Sequence, residues 1–539
     1  MSRTVLVGLD GATFSILDPL MEEGVMPFLK EFIKRGVRSN LLSTAQPLTP
    51  PAWTSLTTGR SPGNHNIFDF VRVERGKEHP TYTLATSGDV QCETIWSIAG
   101  RQNRKVISLN FPISFPPEKI NGSIVPGFVP WRHLSRAVHP PELYQKLKTL
   151  PGFDPQALAF EWEAETKAIQ ALPDQDYEEW IKFHIRREQQ WFEIVRYLMT
   201  SEPSDLTAII FDGVDKLQHV CWRFLDPNLQ KSLTTEWERK IRALCHDYFR
   251  QLDGFIAEIA RLAGPDARLF MASDHGFGPT DQIFYVNTWL GQHGYLAWQE
   301  GVEMAEEGRL TTEGHKSHVL LFDWSRTTAC ALTASSNGIY IHTTEDRTRP
   351  GVPLAEYEAF RQRLKESLLA FTDPSTHEPV VTRAMTREEA FPGEYMERAP
   401  DLTLVLRDHG FISVLNAEEP FKWRPWIIGT HMPLGIFIAG GEGIRRGLSL
   451  SDPLSILDVT PAMLYSLGLP IPEDLEGRFA FEIFEPSLMA HSPPLKGEPT
   501  LLPAPRRATE SHQEEKPGEM EAEQEDRIFE RLKALGYIE

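Results

Sequence analysis

Six side chains with ligand chemistry sit at the ends of apolar runs or beside glycines: Asp10 after TVLVGL, Asp215 and His219 in FDGVDKLQH, Asp274 and His275 in SDHG, and His431 in GTHMPLGIFIAGG. Three carboxylates and three imidazoles make a donor set suited to zinc or manganese. The four-residue spacing of Asp215 and His219 puts both on one face wherever that segment is helical. Each alone has a plainer reading: Asp10 as a helix cap, Asp-x-x-x-His as coincidence, SDHG as a turn, His431 as a hydrogen-bonded core histidine. Their joint occurrence points to a metal centre. A candidate nucleophile lies in QPLTPPAWTSLTTGRSPG. Thr49 followed by Pro50 reads as a helix start, with Thr49 as the cap, proline in the first turn and Gly59 closing the helix. A hydroxyl there lies at the positive end of a helix dipole, which favours an anionic phosphate. Threonine is a poor nucleophile at neutral pH, and coordination to a dication would lower its pKa and deliver an alkoxide.

The elements that must position these groups follow from the apolar pattern. TVLVGLD (Thr4 to Asp10), LTAIIFD (Leu206 to Asp212) and ARLFMASD (Ala267 to Asp274) are continuous rather than alternating, as strands covered on both faces are. KVISLNF (Lys105 to Phe111), GIYIHT (Gly338 to Thr343), DLTLVL (Asp401 to Leu406) and GIFIAGG (Gly435 to Gly441) are further strand candidates. Helical patterns from Met26 to Arg35 and Trp237 to Leu262 lie between them. The alternation predicts an α/β fold with an open, largely parallel sheet flanked by helices, whose ligand crevice lies past the carboxyl ends of the strands.

The rhythm predicts core segments at 1–110 and 205–488. Between them, 111–204 is rich in Pro and aromatics and then strongly helical from Asp176 to Met199, and reads as an inserted cap. A second insertion, 289–330, reads as a lid. Residues 489–526 have the Pro-rich, acidic composition of a disordered linker. In 527–539, Ile528, Leu532 and Leu535 share one face of an amphipathic helix.

Bulk composition narrows the function. Among 539 residues the net charge is −20, which disfavours general binding to a nucleic-acid backbone but not a small phosphorylated substrate met by bound cations. Cys92, Cys221, Cys245 and Cys330 form no C-x-x-C pair. The opening MSRTVLVGLDG lacks the apolar stretch of a signal peptide, and no run reaches bilayer length. A cytoplasmic protein in a reducing compartment is expected.

In combination the segments resemble the type I phosphodiesterase/nucleotide pyrophosphatase branch of the alkaline phosphatase superfamily, and within it the prokaryotic phosphohydrolase/phosphomutase-like members. The branch pattern has an Asp after the first strand, matched by Asp10. It has a Thr before x-Pro with a Thr-Gly further on, matched by Thr49, Pro51, Thr58 and Gly59. Then come D-x-x-x-H, D-H-G and a late G-x-H, matched by Asp215/His219, Asp274/His275/Gly276 and Gly429/His431. DVTPAMLYSLGLPIPEDLEG is similar to a closing D-x-x-P-T segment, with Ala462 where Thr is usual. The resemblance runs from Thr4 to about Phe484. It implies an alkaline-phosphatase-like sheet with an inserted cap, and two divalent metals, zinc foremost and manganese second. One would be held by Asp215, His219 and His431, the other by Asp10, Asp274, His275 and the Thr49 oxygen. It further implies hydrolysis of a phosphate monoester or diester through a phosphothreonine on Thr49. One position departs: where the nucleotide pyrophosphatases carry a phosphoryl-binding Asn, this chain has Phe70, which cannot donate. Asn64, Asn66, Arg60 and Lys216 are the candidate replacements, and His65 fits a family histidine of structural role.

Other classes fit less well. A sulfatase needs a Cys or Ser in a C/S-x-P-x-R context, which Thr49-Pro50-Pro51-Ala52-Trp53 does not offer. A cofactor-independent phosphomutase usually employs Ser. A metal-binding protein without turnover predicts loss of a ligand, yet all six positions are filled. A doubly wound nucleotide binder wants a Gly-rich phosphate loop that GLDGATFS lacks.

Overall fold

Thr4–Leu9, Leu206–Phe211 and Arg268–Ala272 form the centre of a parallel sheet. Thr4 pairs with both Leu206 and Arg268, and the register runs unbroken to Leu9↔Phe211 and Gly8↔Ala272. In-register parallel strands end level, so the acids that follow them emerge at one edge of the sheet. The computed structural model describes residues 3–74, 80–129, 131–158, 174, 176–301, 318–345 and 350–501.

Alternate residues of these strands enter two different cores, which explains their unbroken apolarity. Val5, Val7, Leu9, Ile209, Phe211, Leu269 and Met271 face a core closed by helices Pro27–Lys34, Tyr177–Ser201, Gly213–Leu225 and Glu236–Ala263. Leu6, Ala208, Ile210, Phe270 and Ala272 face a second core, closed by Thr49–Thr58, Ile95–Arg101 and Val459–Ser466. The long helix Glu236–Ala263 starts at Thr235, whose side chain and Glu238 form a reciprocal capping box.

The expected central, mostly parallel sheet is present, with nine strands among the described residues. Val106–Leu109 and Gly122–Val125 extend it in parallel on one side. On the other side Leu434–Gly441 lies antiparallel between Arg268–Ala272 and Val37–Leu42. An apolar run marks a buried strand but not its direction.

Gly338–Ile341 and Leu402–Leu406 are strands as expected, but they do not join the central sheet. They pair antiparallel in a four-stranded sheet with Ala329–Cys330 and Val381–Thr386. That sheet packs with helix Tyr357–Leu369 around a third core containing Leu332, Ile339, Leu364, Leu402 and Leu404. Buried apolar strands of both sheets read alike, so apolarity did not sort one sheet from the other. The 289–330 stretch adds Trp289, Leu290, Phe322 and Cys330 to the same core, and 302–317 lies outside the described residues.

Segment 111–204, expected as a cap, supplies the edge strand Gly122–Val125 and the helix Tyr177–Ser201, whose Trp191, Val195 and Leu198 lie in the first core. Past residue 489 the chain is still tied down: Lys496–Gly497 pairs with Ile471–Pro472, and Thr500 N donates to Asp474 Oδ1 at 2.8 Å. Residues 489–501 are therefore not the linker expected there; the rest of that segment and the expected terminal helix fall in 502–539, outside the described residues. Among the described residues no helix is long and apolar enough to cross a membrane.

Candidate metal centre and nucleophile

Asp10 leaves the first strand with its N–H still on the ladder, donating to Phe211 O at 3.1 Å. It does not cap the next helix: Thr13 holds that position before Phe14–Glu22. Gly11 takes a left-handed φ of 68°, and a Cβ there would meet the Phe277 ring at 2.7 Å. The turn lets Gly11 N donate to Asp274 Oδ1 at 3.0 Å, joining two strand ends. Asp274 and His275 occupy the short link from Arg268–Ala272 to the next strand, Gly276–Tyr285.

Asp215 and His219 lie on one face of helix Gly213–Leu225, as their spacing predicts. His431 comes from strand Phe421–Met432, antiparallel to Gly276–Tyr285 with His431 opposite Phe277. Gly429 lets this strand close on the helix, since a Cβ there would stand 2.3 Å from Gln218 O.

The six side chains converge. His275 Nε2 is 3.2 Å from Asp274 Oδ2 and 3.7 Å from Asp10 Oδ1. His431 Nε2 is 3.1 Å from Asp215 Oδ1 and 3.0 Å from His219 Nε2. The His275 and His431 rings stack at 3.6 Å and join the two groups. Donor atoms of Asp10, Asp274 and His275 lie within 4.8 Å of one another, as do those of Asp215, His275 and His431.

Three observations fit a cation at these donors. First, all three imidazoles turn Nδ1 to a backbone carbonyl: His219 to Gly429, His275 to Gly276 and His431 to Pro47. Nδ1 is then the donor, and the Nε2 lone pairs face the centre. Second, Asp10 Oδ1 and Asp274 Oδ2 are buried without a hydrogen-bond partner. Third, the protonation balance is that of a site short of positive charge. Burial, with Asp274 and Asp215 close by, raises the Asp10 carboxyl well above its ordinary range; burial pushes Asp274 to about 7 and depresses His431 to about 4. Dications would relieve the carboxylates without protons.

Thr49 opens helix Thr49–Thr58 as its first residue, and Leu48, which has no capping side chain, takes the cap position. The expectation of Thr49 as cap is corrected by one residue: Pro50 and Pro51 both fall in the first turn, where their missing N–H groups cost nothing. Gly59 closes the helix in the left-handed conformation at φ 65°, as predicted. Thr49 Oγ1 lies 3.4 Å from His275 Nε2, beside the first group. His65 ties the following loop back to this helix through Ser55 Oγ at 2.9 Å, and burial holds it neutral, its pKa near 3.

Phe70 packs into the third core with Leu48. Of the four candidate replacements for its missing donor, three are engaged away from the centre. Arg60 pairs with Asp474 and Glu476, Asn64 bonds Ser61 and Glu394, and Asn66 bonds Asp89 and Arg398. Lys216 alone lies in the centre, with Nζ 3.0 Å from Asp215 Oδ2.

The sequence pattern did not single out Trp53, which donates Nε1 to Asp10 Oδ2 at 3.3 Å. It also missed the buried support behind the ligand helix, where Arg187 pairs with Asp212, Asn110 Nδ2 bonds Asp212, and Glu188 takes Gly213 N. Asp212 carried a signal as the acid ending LTAIIF; Arg187, mid-helix, carried none.

Level strand ends thus bring a buried acid–imidazole cluster beside a hydroxyl on a helix start, an arrangement whose donors could hold metal ions. The family model for type I phosphodiesterase / nucleotide pyrophosphatase matches residues 4–433, and the chain belongs to that family of phosphoric ester hydrolases. Among solved structures, murine ectonucleotide pyrophosphatase / phosphodiesterase 5 superposes with a TM-score of 0.51 at 12% identity, covering 90% of this chain and 100% of that one. The human protein of the same name gives 0.51 at 13%, with the same coverage. At such identity the likeness speaks for the alkaline-phosphatase-type fold. Human arylsulfatase K is 33% identical over 70 residues, and the cattle protein 30% over 76. The chain spans only about an eighth of these relatives, with 12% and 13% of their lengths covered.

Proposed function

We propose that this protein is a two-metal phosphohydrolase that cleaves a phosphate ester through a covalent intermediate on Thr49. The observation that carries the reading is the convergence of Asp10, Asp274, His275, Asp215, His219 and His431 beside the Thr49 hydroxyl, with buried carboxylate oxygens left without hydrogen-bond partners. Asp215, His219 and His431 would hold one dication, and Asp10, Asp274, His275 and the Thr49 oxygen the other, with zinc the best match to these donors. Such ions supply charge for the phosphoryl group and acidify a bound hydroxyl.

The chain's own residues do the rest. Thr49 gives its proton to solvent and forms an Oγ–P bond as the bond from phosphorus to the leaving oxygen breaks, and that oxygen departs as an alcohol by taking a proton from solvent. Water then forms a bond to phosphorus as the Oγ–P bond breaks, its proton restores the Thr49 hydroxyl, and phosphate or a phosphomonoester is released. The helix start places its dipole behind the phosphoryl group, and Trp53 keeps Asp10 oriented through Oδ2. A nucleotide is a reasonable trial substrate, because an inactive variant of the murine neighbour holds AMP.

The test is hydrolysis of p-nitrophenyl phosphate and bis-p-nitrophenyl phosphate after loading with zinc and then with manganese. Thr49→Ala is expected to keep its metal and lose roughly 10³-fold or more in turnover. Undiminished activity in that variant overturns the nucleophile. An isomerised product in place of free phosphate would make the enzyme a mutase.

A further inference from the structure

Lys216 lies in the candidate centre, and the mechanism above does not use it. Its side chain is only 5% exposed, and Nζ sits 3.0 Å from Asp215 Oδ2. The other oxygen of Asp215 faces His431 at 3.1 Å and His219 at 3.4 Å. The ammonium is thus one carboxylate removed from the atoms that would bind a cation. The next buried charges largely cancel. Arg187 pairs with Asp212, and burial pushes Glu188 up to about 8, which leaves it mostly neutral at pH 7.

We propose that Lys216 tunes this site for a doubly charged phosphoryl group, and so for phosphate monoesters over diesters. The inference rests on the phosphohydrolase reading. Coulomb energy scales with the product of the charges, so a fixed ammonium attracts a dianion about twice as strongly as a monoanion in the same place. Burial keeps salt from screening it. Removing the charge while keeping the shape should therefore penalise the two substrates unequally. If kcat/KM for a diester falls about fivefold, that for a monoester should fall about 25-fold, the square of the first loss. A lysine that merely held Asp215 in place would cost both substrates the same factor.

The experiment compares wild type, Lys216→Gln and Lys216→Arg on p-nitrophenyl phosphate and bis-p-nitrophenyl phosphate at pH 7. Metal content is determined by elemental analysis and inorganic phosphate binding by calorimetry. Supporting results are full metal content in Lys216→Gln, a monoester loss at least several times the diester loss, weaker phosphate binding, and recovery of the ratio in Lys216→Arg. Equal losses, or loss of bound metal in Lys216→Gln, overturn the proposal and leave Lys216 a positioning residue for Asp215. Should Lys216→Gln not fold, Lys216→Met, of similar length and without the charge, is read in the same way: an unequal loss supports the proposal and equal losses overturn it. Failure of the wild type to turn over either ester would instead sink the phosphohydrolase reading itself.

Discussion

The two halves of the candidate centre are built differently. Asp10, Asp274 and His275 hang from the ends of central strands, essentially buried, with Asp10 Oδ1 and Asp274 Oδ2 left without hydrogen bonds. Asp215, His219 and His431 come from a helix and a strand of a smaller sheet; His219 is 18% exposed, and Lys216 already balances Asp215. The first half is buried and short of positive charge, whereas the second is partly exposed at His219 and compensated beforehand. Protein-supplied compensation is therefore uneven across the pair, and the strand-end half depends more on what binds there.

Asp274→Asn and His219→Gln give the sharpest contrast. Asp274→Asn should cost roughly 10³-fold in turnover, and His219→Gln about 10- to 100-fold in metal affinity, read by activity against free zinc. Equal effects would break the distinction. Removing metal should show it a second way. In the stripped protein Asp10→Asn removes a buried carboxyl that must take up a proton on folding and should raise the melting temperature, by about 1 kcal/mol or more of stability, while His219→Gln should change it little. Gly429→Ala probes the approach of the two elements in the second half. Its Cβ would meet Gln218 O at 2.3 Å, so about 1–3 kcal/mol of destabilisation is expected by denaturant titration, with metal weakened in that half first.

A pH series tests the support behind the second half. Burial raises Glu188 to about 8, above its unfolded value, so the folded state holds its proton more tightly. Its contribution to stability is fully present below about pH 4.5 and is lost as pH rises through about 8. Glu188→Gln should flatten the melting temperature of the protein between those limits, and an unchanged slope would refute the assignment. The smallest effect is expected from Trp53→Phe, which removes one donor to Asp10 at about 1 kcal/mol, or several-fold in turnover.

Legibility in the sequence followed the range of the interaction. Asp10 and Asp274 could be read because an unbroken apolar run stopped at an acid, and Asp215 with His219 because a helix repeats every 3.6 residues. His431 drew attention only through its glycine-flanked context, since no local period requires a histidine on strand Phe421–Met432. Sheet membership was not local information either: Ile339 and Leu402 are as buried as Leu6, yet they serve another core. The shift of Thr49 from cap to first helical residue turns on one position at a Leu-Thr-Pro-Pro start, where two prolines fit the first turn equally well. The Arg187–Asp212 pair joins residues 25 apart across a helix and a strand end, which no motif announces.

Strand Phe421–Met432 of the small sheet passes into strand Leu434–Gly441 of the central sheet through a single residue, Pro433, whose carbonyl accepts Ser43 N at 2.9 Å. The junction leaves no slack between the two pleated surfaces. Losing or gaining one residue here would turn every side chain of one strand to its opposite face. His431 lies two positions upstream, so a frame error of one would rotate that imidazole away from Asp215 while leaving all six donor residues in the chain.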